Sequence, residues 1–130
     1  MKDLRWPLVW LGAWLLLIGV VAWLSLSAPP PAPDVPQSDK WQHLLVYGAL
    51  ALVAVQVFRA GRPLLLALAA LVAVGVVLEV AQGTLTSDRV MDVRDAVANT
   101  LGVALGGLSV RTPARDLLRA WVGPPPVAVE

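Results

Sequence analysis

From Leu8 to Leu26 the chain carries no charged residue. A helix of that length spans a bilayer core of about 30 Å. Lys2 and Arg5 precede the run, and Trp6, Trp10 and Trp23 lie near its ends, where interfacial tryptophans sit. Ser25 and Ser27 make a passable cleavage pattern for a signal peptide. The apolar stretch is long and tryptophan-rich for one, so residues 1–27 read as a first transmembrane helix.

Three further apolar segments follow: Trp41 to Phe58, Leu64 to Leu78 (continuing through Glu79 and Gln82), and Ala96 to Val110. The last gives only about 22 Å of helix, so its start is expected earlier, near Met91 or Asp92. Only 15% of residues are charged while 58% are hydrophobic, too little charge to solvate the surface of a soluble domain this size. A net charge of +1 argues against nucleic acid as a partner. With no cysteine there is no disulfide, thiolate ligand or thiol nucleophile.

The breaks fit this count. Residues 28–38 hold five prolines and read as an extended outer linker, with Ser38 expected to cap the second helix. Arg59 to Pro63 is a tight turn, with Gly61 free to take positive φ and Pro63 suited to a first helical turn. Gly83 to Asp88 is the third break. Within residues 111–130, Arg115, Leu117, Leu118, Arg119 and Trp121 suggest a short interfacial helix, ended by Pro124, Pro125 and Pro126. The expected fold is therefore all-α, a polytopic four-helix transmembrane bundle with a short interfacial C-terminal helix. With the N-terminus inside, Lys2, Arg5, Arg59, Arg62, Arg111, Arg115 and Arg119 are cytoplasmic and Lys40, Arg89 and Arg94 are outside. That distribution favours both termini inside.

This topology carries a consequence for the polar residues. Asp39, Lys40 and His43 fall at the outer start of the second helix, and Glu79 and Gln82 at the outer end of the third. Arg89, Asp92, Asp95 and Asn99 fall in the outer loop and the start of the fourth. Helical spacing puts Asp39, His43 and Tyr47 on one face, Glu79 and Gln82 on a face with Gly75, and Asp95, Asn99, Gly102 and Gly106 on another. Gly102 and Gly106 permit close helix approach. Turned inward, the stripes build one polar pocket. Each group also has a bland reading: a satisfied interfacial His43, an Arg89 ion pair with Asp92 or Asp95, an Asn99 bonding across helices, a Tyr47 at the rim. Clustering favours a site, because ionisable groups within a membrane are costly.

The blocks D-K-x-x-H-x-x-x-Y (Asp39, Lys40, His43, Tyr47), E-x-x-Q (Glu79, Gln82) and R-x-x-D-x-x-D-x-x-x-N-x-x-G-x-x-x-G (Arg89, Asp92, Asp95, Asn99, Gly102, Gly106) resemble the VanZ-like family of bacterial membrane proteins. The resemblance covers residues 39–110. Leu44 departs from the family's frequent phenylalanine, and Gly83-Thr84-Leu85 lacks its aromatic residue. It implies a multi-pass protein of the bacterial cytoplasmic membrane, in a family whose named member is linked to resistance to the glycopeptide teicoplanin. It brings no established mechanism.

Three functions remain open. The cluster could bind an amphiphilic envelope molecule, with membrane lipid around the tail and Lys40, Arg89 and the carboxylates at the head. It could be an enzyme site, with His43 as general base oriented by Asp39, Glu79 or Asp95 as a second acid–base group, and Arg89 stabilising an anion. It could be a structural or partner-binding membrane scaffold whose polar cluster specifies helix packing. Transport has no inverted repeat or broken helix to support it. No cofactor is called for, and no metal. His43, Glu79 and Asp95 are the one set that could hold a divalent ion, on thin ligand evidence.

Overall fold

The computed structural model describes residues 1–27, 37–86 and 91–126. Among them the chain is helical: α1 Pro7–Leu26, α2 Ser38–Val57, α3 Arg62–Leu85, α4 Val93–Gly107 and a short α5 Leu117–Val122. Two 3-10 turns, Leu108–Arg111 and Pro113–Asp116, lead from α4 into α5. Two helices, α1 and α3, are long and apolar enough to cross a membrane. The proline-rich segment and Arg89 lie outside the described residues.

Local chemistry explains most boundaries. Gly61 precedes α3 at φ 96°, a conformation open to glycine, and Pro63 follows in the first turn, where its missing N–H costs nothing. Asp92 caps α4 by accepting from the Arg94 backbone N–H at 2.8 Å, so this helix does begin upstream of its apolar run. Gly123, at φ 76°, closes α5 ahead of the prolines. Two expectations are corrected. Ser38 is the first helical residue of α2 and caps nothing; Gln37 holds the N-cap position without a side-chain bond. Gly83 does not break α3, which runs two residues further, to Leu85. Gly83 serves close approach instead: a Cβ there would lie 2.8 Å from the Met91 Cβ.

The central packing is between α2 and α4. A Cβ on Gly102 would lie 2.3 Å from the Leu44 carbonyl oxygen, and one on Gly106 2.3 Å from that of Gly48. Both helices present bare backbone at the crossing, as small-residue stripes allow. The third helix covers this pair with a stripe of Leu64, Ala67, Leu71, Gly75 and Leu78, all buried at helical spacing. Outermost is α1, packed on α2 and α3 and away from α4. Its buried anchor is Trp14, which donates Nε1–H to the Leu50 carbonyl at 3.0 Å and sets its ring edge-on to Phe58.

The two ends of the bundle differ. At one end the Lys2 backbone N–H donates to the Val57 carbonyl at 2.9 Å. The Gln56 side chain there donates to the Ala114 carbonyl and accepts from the Leu118 N–H. Both chain ends therefore gather beside the turn joining α2 and α3. The opposite end holds the finish of α1 and α3 and the start of α2 and α4, joined by Gln82 Nε2 donating to the Ser25 carbonyl at 2.8 Å.

Outward faces are largely apolar. Leu16 and Trp23 on α1, Leu45 and Leu52 on α2, Leu66 and Val77 on α3, and Val97, Leu101 and Leu105 on α4 are all exposed. On α4 the inward stripe includes Asp95, Asn99, Gly102 and Gly106, while Val97, Leu101 and Leu105 face outward alongside Thr100.

Glycine positions therefore divide sharply. Gly106→Ala, which drives a Cβ into backbone, should destabilise the protein by about 1–3 kcal/mol, as overpacking does. Gly12→Ala, with nothing within 4 Å of the new Cβ, should leave it unchanged or slightly more stable. Thermal unfolding of both variants in detergent reads the difference.

Candidate functional site

At the end away from the chain termini, α2, α3 and α4 bring together most of the polar residues singled out in the sequence. Lys40 enters from the first turn of α2 and His43 from the next. Glu79 comes from the last third of α3, and Asp95 and Asn99 from the first two turns of α4. Glu79, Gln82, Asp95 and Asn99 are buried, at 3%, 3%, 8% and 2% exposure. Four buried polar side chains at one level oblige the fold to pair them or to leave them for something else.

Lys40 neutralises much of the rim. Its Nζ lies 2.7 Å from Asp39 Oδ2, 2.8 Å from Asp92 Oδ2 and 2.7 Å from Asp95 Oδ1. The contact to Asp95 is an ion pair without hydrogen-bond alignment, since Asp95 Oδ1 has no directional partner. The ammonium, and next the Arg94 backbone N–H, hold the Asp92 carboxyl below the usual aspartate range. Lys40 thereby clamps the start of α2 to the start of α4.

His43 occupies the centre. Its Nδ1 is 3.0 Å from Asn99 Oδ1, 3.8 Å from Glu79 Oε1, and its Nε2 is 3.8 Å from Asp95 Oδ2. Because an amide oxygen only accepts, Nδ1 donates to Asn99, and a neutral ring then keeps its lone pair on Nε2. One ligand-capable atom from each of His43, Glu79 and Asp95 falls within 4.8 Å of the others. Two buried oxygens here, Glu79 Oε2 and the Tyr47 hydroxyl, have no hydrogen-bond partner among the described residues.

Several sequence expectations change in detail. Asp39 does not orient His43: its carboxylate is exposed and engages Lys40, and Asn99 takes the orienting place. Tyr47 is no rim residue, being 2% exposed with its ring against Gly75, where a Cβ would meet Tyr47 Cε1 at 3.2 Å. Gln82 spends its amide N–H on the Ser25 carbonyl, fastening α1 to α3. Gly102 and Gly106 pack helices, as read from their spacing. Arg89, expected at the head of the pocket, falls outside the described residues.

A second convergence lies at the terminal end and escaped the sequence reading. Lys2, Arg59, Arg115 and Arg119, with Asp3 and Asp116, line a cleft of about 330 Å³. Lys2 pairs with Asp116 at 3.0 Å and bonds the Arg115 carbonyl, while Arg59 pairs with Asp3 at 2.6 Å. The available signal was the gathering of basic residues on one predicted side; their contact depends on the chain ends folding back.

Compared with known proteins, the chain matches no family model, no curated protein and no solved structure.

The Lys40 clamp gives a direct test. Lys40→Met leaves Asp95 buried beside an apolar tip, and should cost about 1–3 kcal/mol, the penalty of stranding a buried acceptor. Asp39→Asn, on an exposed partner of the same ammonium, should change stability by less than about 0.5 kcal/mol. Unfolding midpoints of the two variants should separate in that order.

Proposed function

We propose that the chain is a polytopic membrane protein in which α1 to α4 all cross the bilayer, with both termini cytoplasmic and the His43–Glu79–Asp95 cluster near the outer surface. Its function on this reading is to bind the head of an amphiphilic envelope molecule. The observation that carries the proposal is an inverted distribution of polarity: Glu79, Asp95 and Asn99 are buried while the faces turned outward are leucine, valine and tryptophan. Water would penalise that arrangement on both counts, whereas lipid solvates the outside and drives the ionisable groups inward. The tryptophans fit the same frame. Trp23 and Trp41 project at the polar end, and Trp10 and Trp121 meet edge-on at 6.2 Å at the terminal end.

Both chain ends meet at one end of the bundle, as an even number of crossings requires, and the basic residues concentrated there favour the cytoplasmic side. The resemblance of the sequence blocks to the VanZ-like family suggests an envelope role, and glycopeptide-like amphiphiles are one class of ligand with a polar head and a lipid tail. Local charge narrows the head chemistry. The Lys40 ammonium is already engaged by three carboxylates, so the groups left to meet a ligand are the carboxylate acceptors of Glu79 and Asp95 and the Tyr47 hydroxyl, which donates or accepts. A head rich in amines or hydroxyls suits them better than a phosphate.

A hydrolytic enzyme is the second reading, favoured by one feature. His43 Nε2 stands 3.8 Å from Asp95 Oδ2 with its Nδ1 fixed by Asn99, the arrangement a general base acting on water uses.

Topology is testable in intact cells. A cysteine at Thr86 should react with a membrane-impermeant thiol reagent, and one at Gly61 only after permeabilisation; the opposite pattern overturns the orientation. For the ligand, native mass spectrometry of protein extracted with its lipids should show a bound amphiphile in the wild type. His43→Ala and Glu79→Ala should lose it at least tenfold while remaining folded. Equal retention in all three proteins would favour a packing role for the cluster.

A further inference from the structure

We infer that His43, Glu79 and Asp95 form a binding site for a divalent transition-metal cation of the zinc class. The inference rests on reading this cluster as a site, and it adds the resident ion. The donor set is one imidazole nitrogen and two carboxylates, the mixture that borderline cations such as Zn²⁺ take and that Mg²⁺ and Ca²⁺, which want oxygen shells, do not.

The two carboxylates flank the imidazole, Glu79 Oε1 at 3.8 Å from Nδ1 and Asp95 Oδ2 at 3.8 Å from Nε2. Ligand-capable atoms of the three residues lie within 4.8 Å of one another. Bonds of about 2.0–2.1 Å in a tetrahedral site put ligand atoms about 3.3 Å apart, so closing the shell on Nε2 requires the Glu79 side chain to swing towards Asp95. The imidazole is already oriented for the task. With Nδ1–H donated to Asn99 Oδ1 at 3.0 Å, Nε2 presents its lone pair on the side of Asp95 Oδ2. Metal-bound histidines commonly fix their second nitrogen in this way, so Asn99 acts as a positioning residue.

Two further observations point to an ion. Glu79 is 3% exposed, yet its Oε2 has no hydrogen-bond partner among the described residues, an expensive state for a buried carboxylate oxygen. Charge is also out of balance at Glu79. Within the described cluster Lys40 contacts Asp39, Asp92 and Asp95, Arg94 adds its charge near Asp92, and Glu79 has only His43 beside it. A dication between Glu79 and Asp95 supplies the positive charge that Glu79 lacks and leaves Lys40 to hold Asp95 Oδ1. Three protein ligands leave a fourth position for water or a ligand atom, which in this protein is where an amphiphile's head would coordinate.

The experiment uses the full chain purified in detergent, stripped with a chelator and titrated with Zn²⁺ alone by calorimetry. One equivalent should bind, with affinity reduced at least tenfold in His43→Ala and in Glu79→Gln, and about tenfold in Asn99→Ala through loss of ring orientation. Should a variant fold poorly, X-ray absorption of the zinc-loaded wild type decides independently: one imidazole with carboxylate oxygens is expected at about 2.0–2.2 Å. Absence of stoichiometric binding, an all-oxygen shell, or unchanged affinity in folded His43→Ala overturns the metal site. An amphiphile that still co-purifies with chelator-stripped protein in that case leaves the binding proposal standing, and its absence from metal-loaded protein would remove that proposal instead.

Discussion

The close crossing of α2 and α4 is the contact on which the rest of the molecule depends. Gly48, Gly102 and Gly106 remove side chains where the two backbones meet, so carbonyl oxygens of α2 lie where Cβ atoms of α4 would be. That approach sets the depth of everything above it. Gly102 is one turn below Asn99 and two below Asp95, and Gly48 is likewise below His43 and Lys40. Bringing the glycines into register brings His43 to Asn99 and Lys40 to Asp95. A wider crossing would pull these pairs apart and let solvent or lipid between them.

Glu79 is then the residue most dependent on its surroundings. It reaches the cluster because α3 packs Gly75 against Asn99 and the Tyr47 ring, and Glu79 follows one turn later on the same face. A carboxylate there has half its hydrogen-bonding capacity unmet. Burial of this kind is retained only where neighbouring charge or a bound species compensates it. The alternative of a purely structural network would be expected to use all its oxygens.

The two ends of the bundle are built on different principles. At the polar end, Lys40 gathers three aspartates at the rim, and two acids, Glu79 and Asp95, are sunk below the surface. At the terminal end, the Arg59–Asp3 pair is open to solvent, and Lys2 holds Asp116 below the usual carboxylate range by hydrogen bonding. Backbone bonds from Lys2 to Val57 and from Arg5 to Gly123 close that end. It behaves as a clasp holding the chain ends to the bundle, while the polar end carries the chemistry.

The sequence by itself determined the helical character, the approximate positions of the helices and which residues share a face. Those properties follow from local rules: an uncharged run of 19 residues from Leu8 to Leu26, Gly61-Arg62-Pro63 at a helix start, and polar and glycine residues repeating every three or four positions. It also put His43, Glu79, Asp95 and Asn99 at one level, because alternating helix directions fix depth. Only tertiary structure decided partners. Whether His43 turns to Asp39 on its own helix or to Asn99 on another depends on interhelical distance, which no spacing encodes. Competition for a single ammonium drew Asp39 away to Lys40, packing against Gly75 sank Tyr47 from the rim into the core, and Gln82 was taken by a carbonyl of α1. Side chains settle where burial and pairing are jointly satisfied, and that balance exists only once the helices have met.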